Sequence, residues 1–158
     1  MADEPQLIQS IDELRHYGCQ KLPKAYRDYF NDGANDMITL HDNEAAFNRY
    51  KIRPRVLRNT SNVDTSTTIW GTKVSIPFGF APAAMHCLAH PDGEVATSRA
   101  AAARNIAMGL SSWTTRSVEE VLTETKGNPY AMQISLLKDQ GASTATIKRA
   151  ESEYGYHV

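Results

Sequence analysis

Cysteine is scarce in this sequence, and the pattern of the two cysteines gives no sign of a metal or redox centre. Among the 158 residues, Cys19 and Cys87 lie far apart in the chain. Neither belongs to a CxxC-type motif of a zinc site or a dithiol centre, so we expect no metal. Isolated thiols are typical of a reducing, intracellular compartment. The sequence does not distinguish between cytoplasm, peroxisome and mitochondrion.

Long hydrophobic runs and an excess of one charge sign are also absent. The formal net charge is −1, although 41% of the residues are hydrophobic. This balance argues against a strongly basic surface for nucleic acid or anionic lipid. No apolar run approaches the roughly 18–20 residues that cross a bilayer. The opening MADEPQLIQS resembles neither a secretory signal nor a transit peptide. We therefore expect neither a nucleic acid nor a membrane as a partner.

The first 50 residues carry the signals of three short helices. Ser10-Ile11-Asp12-Glu13 has the pattern of a capping box and predicts the start of the first helix. Pro23 suits a first-turn position of the second, where its missing N–H costs nothing. A third helix is predicted across NEAAFNRY, residues 43–50, with Asp42 or Asn43 as its cap.

Further along the chain, the pattern changes from helical to alternating. TSTTIWGTKVS has β-branched residues on both sides of Gly71 and predicts a hairpin. After it, apolar strands alternate with helices, and the strand centres recur about every 25 residues, a spacing typical of βα units. Strands are predicted over residues 76–81, 106–110 and 130–135, and the last three residues, Tyr156-His157-Val158, resemble the start of a fourth.

Strands that are apolar throughout and separated by helices indicate a parallel sheet covered on its outer face. An open doubly wound sheet and a (β/α)8 barrel both suit this pattern. Eight units of about 25 residues give about 200, the usual barrel size. We therefore predict an α/β fold: the N-terminal portion of a (β/α)8 TIM barrel, preceded by a helical cap and truncated at the start of barrel strand 4. Residues 1–75 would form the cap and entry hairpin, and 76–158 three βα units and a strand-4 stub.

Ligand sites of barrels lie at the C-terminal ends of the strands, which selects three segments here. In the segment 81–85, Ala-Pro-Ala-Ala-Met, the first four side chains are small enough for a planar ring to approach the backbone. Ser111 and Gln133 supply the donors and acceptors that a heteroaromatic edge needs, and Trp113 is suited to wall a pocket. Each segment also has a structural interpretation, as turn, cap or packing. Their occurrence at three successive strand ends favours a ligand site.

These segments carry a resemblance to a known family. LPKAYRDYF near the N-terminus, APAAMHCLAHPDGE after the first strand, and LSSW followed by SVEEV resemble the FMN-dependent α-hydroxy acid oxidases and dehydrogenases, the group of glycolate oxidase, lactate oxidase and flavocytochrome b2. The resemblance implies an FMN cofactor and oxidation of an L-2-hydroxy acid, such as glycolate or lactate, to a 2-oxo acid. Oxygen or another acceptor would reoxidise the flavin, and a full-length protein would be a homo-oligomer.

The resemblance also implies cofactor-binding roles for particular residues. Pro82, Ala83 and Ala84 match the segment that lies along the flavin and bonds to it through backbone groups. Ser111 matches a flavin-binding serine, and Gln133 a glutamine that bonds the pyrimidine end of the ring. The family usually has threonine at the position of Ala83. The alanine of this sequence lacks the threonine hydroxyl but leaves the backbone contacts possible.

Substrate-binding roles follow from the same resemblance. Tyr29 matches the tyrosine that binds the substrate carboxylate, and Trp113 matches a residue that lines the substrate pocket. Ser135 stands where the family usually has a tyrosine that hydrogen-bonds the substrate, and serine is too short to replace it directly. No catalytic residue is assigned, because the family's base histidine and its neighbouring arginine would follow Val158.

Two alternatives stay open alongside this assignment. The first is a non-catalytic truncated fragment without stable flavin, and the second is another flavin-dependent barrel, such as a flavin-type isopentenyl-diphosphate isomerase. LSSW and the N-terminal segment with Tyr29 favour the hydroxy acid family over the second. For the 158 residues alone we expect an inactive chain, because half a barrel leaves apolar faces and open strand edges exposed.

Overall fold

Three short helices make up the N-terminal part of the chain in a computed structural model, which describes residues 7–157. The described residues fall into two units that divide between Arg58 and Asn59. The N-terminal unit contains helices α1 (Ile11–Lys21), α2 (Lys24–Asn31) and α3 (Ile38–Ala45), followed by a 3-10 turn, Ala46–Arg49.

Helix α1 begins at the predicted cap. The Ser10 hydroxyl accepts a hydrogen bond from the Glu13 backbone N–H at 3.1 Å, which satisfies one of the free donors of the first turn. The Glu13 carboxylate accepts from the backbone N–H of Gln9 at 2.7 Å instead of that of Ser10. The predicted start of the helix is confirmed. The return contact of the capping box goes to the backbone N–H of Gln9, one residue before the expected Ser10.

The prediction for the third helix is wrong in its start. Helix α3 begins at Ile38, directly after Met37, which has a left-handed φ of 56° and makes no side-chain cap. Asp42, predicted to be outside the helix or to cap it, lies within α3, and its carboxylate accepts from the Arg49 guanidinium at 2.9 Å. Asp42 therefore cannot cap a helix at residue 43, because its own backbone is already helical.

The C-terminal unit begins with the predicted hairpin. Strands β1 (Thr67–Ile69) and β2 (Thr72–Val74) pair antiparallel. Trp70 and Gly71 form the turn with positive φ values of 47° and 76°, as a two-residue primed turn requires. The contacts group this hairpin with the C-terminal unit, whereas the sequence interpretation assigned residues up to 75 to the N-terminal region. As a statement about domains, that boundary stays a prediction.

A three-stranded parallel sheet forms the centre of the C-terminal unit. Its strand order is β3-β4-β5, and each neighbouring pair is parallel. The elements in chain order are β3 (Gly79–Phe80), a 3-10 turn (His86–Leu88), α4 (Gly93–Arg104), β4 (Ala107–Ser111), α5 (Val118–Leu122), β5 (Tyr130–Gln133) and α6 (Gln140–Tyr154). The predicted alternation of parallel strands and helices is confirmed, with β3 shorter than expected.

A third parallel pairing follows α6. His157 forms a parallel bridge with Ala131, and its carbonyl accepts from the Met132 backbone N–H at 2.7 Å. This is the position of the predicted fourth strand, while Val158 lies outside the described residues. Between residues 7 and 157, no helix combines the length and apolar character needed to cross a membrane.

The core of the C-terminal unit lies between the sheet and its helices. Met108, Leu110 and Val121 are almost completely buried. A polar contact is enclosed with them: the hydroxyls of Ser98 and Tyr130 are 2.6 Å apart, and Ser98 also donates to the Val121 carbonyl at 2.7 Å. This contact joins α4, α5 and the amino end of β5.

Candidate cofactor site at the strand ends

The three segments selected from the sequence meet at one edge of the sheet. Ser111 and Gln133 are register partners at the carboxyl ends of β4 and β5. The loop after β3 joins them through the Met85 backbone N–H, which donates to the Trp113 carbonyl at 3.2 Å. The carboxyl ends of parallel strands are where α/β proteins bind ligands, so this edge is the candidate site.

The segment after β3 presents its backbone to solvent. Ala81, Pro82 and Ala83 are exposed, and Ala84 is half-buried. No residue within 7–157 hydrogen-bonds to the backbone N–H groups of Ala83 and Ala84. Small side chains and unused backbone groups together let a flat ligand lie against this segment and hydrogen-bond to it.

Gly109 determines how closely this segment approaches the sheet. A Cβ atom at Gly109 would lie 2.7 Å from Cδ of Pro82 and 2.8 Å from its Cγ. Any larger residue would therefore push Pro82 away from β4. The absence of a side chain in the middle of β4 places the bare segment directly on the strand.

The side chain of Gln133 is held in one orientation. Its Oε1 accepts from the Ser111 hydroxyl at 3.3 Å and from the Ser112 backbone N–H at 3.4 Å. A backbone N–H can only donate, so the amide oxygen faces β4. The Nε2 then points the other way and donates to Oγ of Ser135 at 3.2 Å. Ser111, 4% exposed, anchors this arrangement.

Trp113 joins the same network from the loop after β4. Its backbone N–H donates to the Ser111 hydroxyl at 3.1 Å. Its indole Nε1–H donates to Oγ of Ser135, also at 3.1 Å. The ring itself remains 56% exposed. Sequence reasoning named these side chains one by one but missed their hydrogen bonds, which only the strand register brings about.

Glu94 is a further residue at this edge that sequence reasoning did not select. Its side chain is completely buried. The carboxylate accepts from the backbone N–H of His86 at 3.0 Å and from that of Thr115 at 2.9 Å. The Thr115 hydroxyl is also within 2.9 Å of the second oxygen. Glu94 therefore ties the loop after β3 to the loop after β4.

The lowered pKa of Glu94 agrees with its role in connecting the two loops. Burial is the largest influence and raises the pKa of Glu94, yet hydrogen bonds from Thr115, from the backbone N–H of Glu94 itself and from His86 together keep its pKa below the ordinary value of 4.5. The only sequence signal was an acid in the first turn of a helix, which is equally typical of an exposed residue.

The remaining residue selected from the sequence is Tyr29. Tyr29 is on α2 in the N-terminal unit, 49% exposed, with its ring edge-on to Phe30 at 5.1 Å between centroids. Its substrate role stays a prediction. His90 lies before α4, where its Nδ1 accepts from the Asp92 backbone N–H at 3.2 Å, a local contact at the entry to the helix.

The fold and site define a class of protein: βα units that present polar and bare backbone groups at the carboxyl ends of their strands. The family described as FMN-dependent dehydrogenase matches residues 19–158. The chain belongs to this family, and FMN is the cofactor that the family's description names. The unused backbone groups of Ala83 and Ala84, the Ser111 hydroxyl and the Gln133 amide fit a planar ring with donors and acceptors on its edge.

Two curated relatives illustrate the similarity. Oxidase FUB9 of Fusarium oxysporum f. sp. lycopersici is 48% identical over 153 residues, which are 96% of this chain and 39% of the relative. Glycolate oxidase of Spinacia oleracea is 44% identical over 144 residues, 91% of this chain and 39% of the relative. The chain thus spans about two fifths of the length of these relatives.

Solved structures agree on the fold. A crystal structure of mandelate oxidase superposes with a TM-score of 0.86 at 29% identity, over 92% of this chain and 42% of the other. A mandelate oxidase variant crystallised with an FMN adduct gives a TM-score of 0.84 at 29% identity, over 90% of this chain and 43% of the other. These neighbours are TIM-barrel hydroxy acid oxidases, so the chain has the fold of part of a (β/α)8 barrel, and the doubly wound alternative is excluded.

Proposed function

We propose that the protein carrying this sequence is an FMN-dependent oxidoreductase that converts an L-2-hydroxy acid to a 2-oxo acid. One observation carries this proposal. The small-residue segment after β3, the Ser111 hydroxyl and the Gln133 amide lie at the same edge of the sheet. When bound, FMN would supply the two-electron redox chemistry, and the protein would orient the substrate against it.

The cofactor-binding set is Pro82, Ala83, Ala84, Ser111 and Gln133. The first three would lie along the ring and offer their free backbone groups. Gln133, fixed with its oxygen toward β4, has one Nε2 hydrogen left after its bond to Oγ of residue 135. That hydrogen, together with the backbone groups, would fit a ring edge that carries acceptors.

The substrate-binding set is Tyr29, Trp113 and Ser135. Tyr29 would position the carboxylate, and the exposed indole of Trp113 would form one wall of the pocket. The Ser135 oxygen already accepts from two donors, Trp113 Nε1 and Gln133 Nε2. A hydroxyl has two acceptor positions, so its own hydrogen must point elsewhere and is free for an acceptor on the substrate.

Further parts of the proposal concern the whole protein. Residues 1–75 would be a helical cap and entry hairpin, and 76–158 the first three βα units with the start of barrel strand 4. The base histidine and its arginine would follow Val158, so the 158 residues alone would not turn over substrate. Oxygen or another acceptor would take the electrons from the reduced flavin. The full-length protein would be a homo-oligomer in an intracellular compartment.

The experiment is a flavin titration followed by a substrate panel. The full-length protein carrying this sequence, stripped of ligand, should bind FMN in a 1:1 complex, seen as quenching of flavin fluorescence. Anaerobic addition of achiral glycolate, L-lactate or L-mandelate should then bleach the visible absorbance with at least one of these acids. The D-enantiomers of lactate and mandelate serve as controls. Failure to bind FMN, or bleaching by no 2-hydroxy acid, would overturn the proposal.

A further inference from the structure

The most unusual contact at the strand ends is the double use of one serine oxygen. Ser135 Oγ accepts from the indole Nε1–H of Trp113 at 3.1 Å and from Nε2 of Gln133 at 3.2 Å. We propose that Ser135 is a positioning residue that fixes the Gln133 amide and the Trp113 indole together. These three residues are called the Ser135 bridge, and its link to the cofactor rests on the function proposed above.

The donors of the bridge come from different parts of the fold. Trp113 follows β4, whereas Gln133 is the last residue of β5. Ser135 is itself held from the β4 side, because its backbone N–H donates to the Ser112 hydroxyl at 3.2 Å. This bond holds the backbone from which the Ser135 hydroxyl extends toward both side chains.

The direction of every hydrogen bond in the bridge follows from chemistry. An indole N–H can only donate, so the serine oxygen must accept from Trp113. The Ser112 backbone N–H fixes the oxygen end of Gln133 toward β4, so the nitrogen end must face Ser135. A flipped amide would place its NH2 group against the Ser112 backbone N–H, so that two donors would face each other. The bridge thus has one consistent arrangement.

Without the serine oxygen, both neighbours lose a fixed partner. Gln133 would keep its contacts to β4, but its amide could rotate because Nε2 would no longer be held by Ser135. Trp113 is more than half exposed, so little else restrains its indole. Removal of this oxygen should therefore loosen a proposed cofactor contact and a proposed pocket wall in one step, whereas a hydroxyl placed at the same distance should restore both.

The test uses the intrinsic fluorophores of the chain. Trp70 and Trp113 are the tryptophans of these 158 residues. Trp70→Phe is the background, and the near-UV difference from the same protein with Trp113→Phe isolates the signal of Trp113 in the full-length chain. In this background Ser135→Ala is compared with the conservative Ser135→Thr, and Ser152→Ala, at an exposed position of α6, serves as the matched serine control. Near-UV circular dichroism of the full-length apoprotein reports the indole, and flavin fluorescence gives the FMN dissociation constant.

Ser135→Ala should lose the near-UV signal of Trp113 and raise the FMN dissociation constant roughly five- to tenfold, the effect of one neutral hydrogen bond. Ser135→Thr and Ser152→Ala should stay within about twofold of the parent in both measurements. Should Ser135→Ala fail to fold by far-UV dichroism, Ser135→Cys replaces it, since a thiol is a weaker acceptor of similar size.

The outcomes separate the bridge from the proposed function. An unchanged near-UV signal in the Ser135→Ala apoprotein overturns the bridge, whatever the flavin does. A changed signal with unchanged FMN affinity overturns the part that concerns Gln133. If the parent binds no FMN at all, the proposed function fails, and the dichroism of Trp113 still decides whether the bridge exists.

Discussion

The buried carboxylate of Glu94 provides the sharpest test of how the two loops of the site are held. Glu94→Ala removes the acceptor for the backbone N–H groups of His86 and Thr115. A hydrogen bond to a charged group contributes roughly 1.5–3 kcal/mol. Thr115 is exposed, so water can partly replace the lost partner and the lower value applies to each bond. We expect a loss of about 3 kcal/mol in the free energy of unfolding.

Glu94→Gln separates the charge from the shape. The glutamine keeps the length of the side chain and one acceptor oxygen, but it loses the charge, so we expect a loss of about 1–2 kcal/mol. Urea titrations of the full-length protein followed by far-UV circular dichroism give both values. Glu151→Ala, at an exposed position of α6, is the matched control and should stay within about 0.5 kcal/mol. A Glu94→Ala variant no less stable than this control would refute the reasoning.

The pH dependence gives an independent check. The pKa of Glu94 is held below 4.5 in the folded protein, so its contribution is present above that pH and is lost as the pH falls further. Glutamine does not titrate. The difference in unfolding free energy between the parent and Glu94→Gln should therefore be constant near neutrality and narrow in acid. A difference that does not change from pH 7 to pH 3 would contradict an ionised Glu94.

Three further predictions concern close packing and buried hydroxyls. Gly109→Ala should weaken FMN binding in a fluorescence titration and lower the unfolding free energy by about 1–3 kcal/mol. The reason is that the new Cβ would lie 2.7 Å from Pro82. Unchanged FMN affinity would contradict the close approach of Pro82 to β4. Tyr156→Phe should raise the free energy of unfolding in urea by up to about 1 kcal/mol, since its hydroxyl is buried and has no partner among the described residues. Tyr130→Phe should lower it by about 1–2 kcal/mol, since Ser98 loses its contact at 2.6 Å; equal effects of the two tyrosine variants would count against this explanation.

Local signals in the sequence predicted most of the C-terminal unit. Ser117-Val118-Glu119-Glu120 has the sequence pattern of a capping box, and the structure contains it at the start of α5: the Glu120 carboxylate accepts from the Ser117 backbone N–H at 2.8 Å. Helix α6 ends at Gly155, whose φ of 66° suits a left-handed C-cap. Such signals involve residues within a few positions of each other, so they can be recognised without knowledge of the fold.

Features without a local signal were not predictable in this way. The third helix starts at Ile38, after Met37, whose left-handed backbone provides no side-chain cap. The burial of Glu94 depends on a loop more than 20 residues further along the chain. Neither the helix start nor this burial leaves a trace in the local pattern of residues.

Ser135 shows how the size of one residue can decide the role of a position. Its oxygen lies one bond beyond Cβ, close enough to the strand ends to accept from both Trp113 and Gln133. A tyrosine, which the resemblance to the family implies as the usual residue here, would carry its hydroxyl across a whole ring, beyond the reach of both donors. The two neighbours would then need other restraints. In this chain the short side chain directs both acceptor positions of its oxygen toward Trp113 and Gln133.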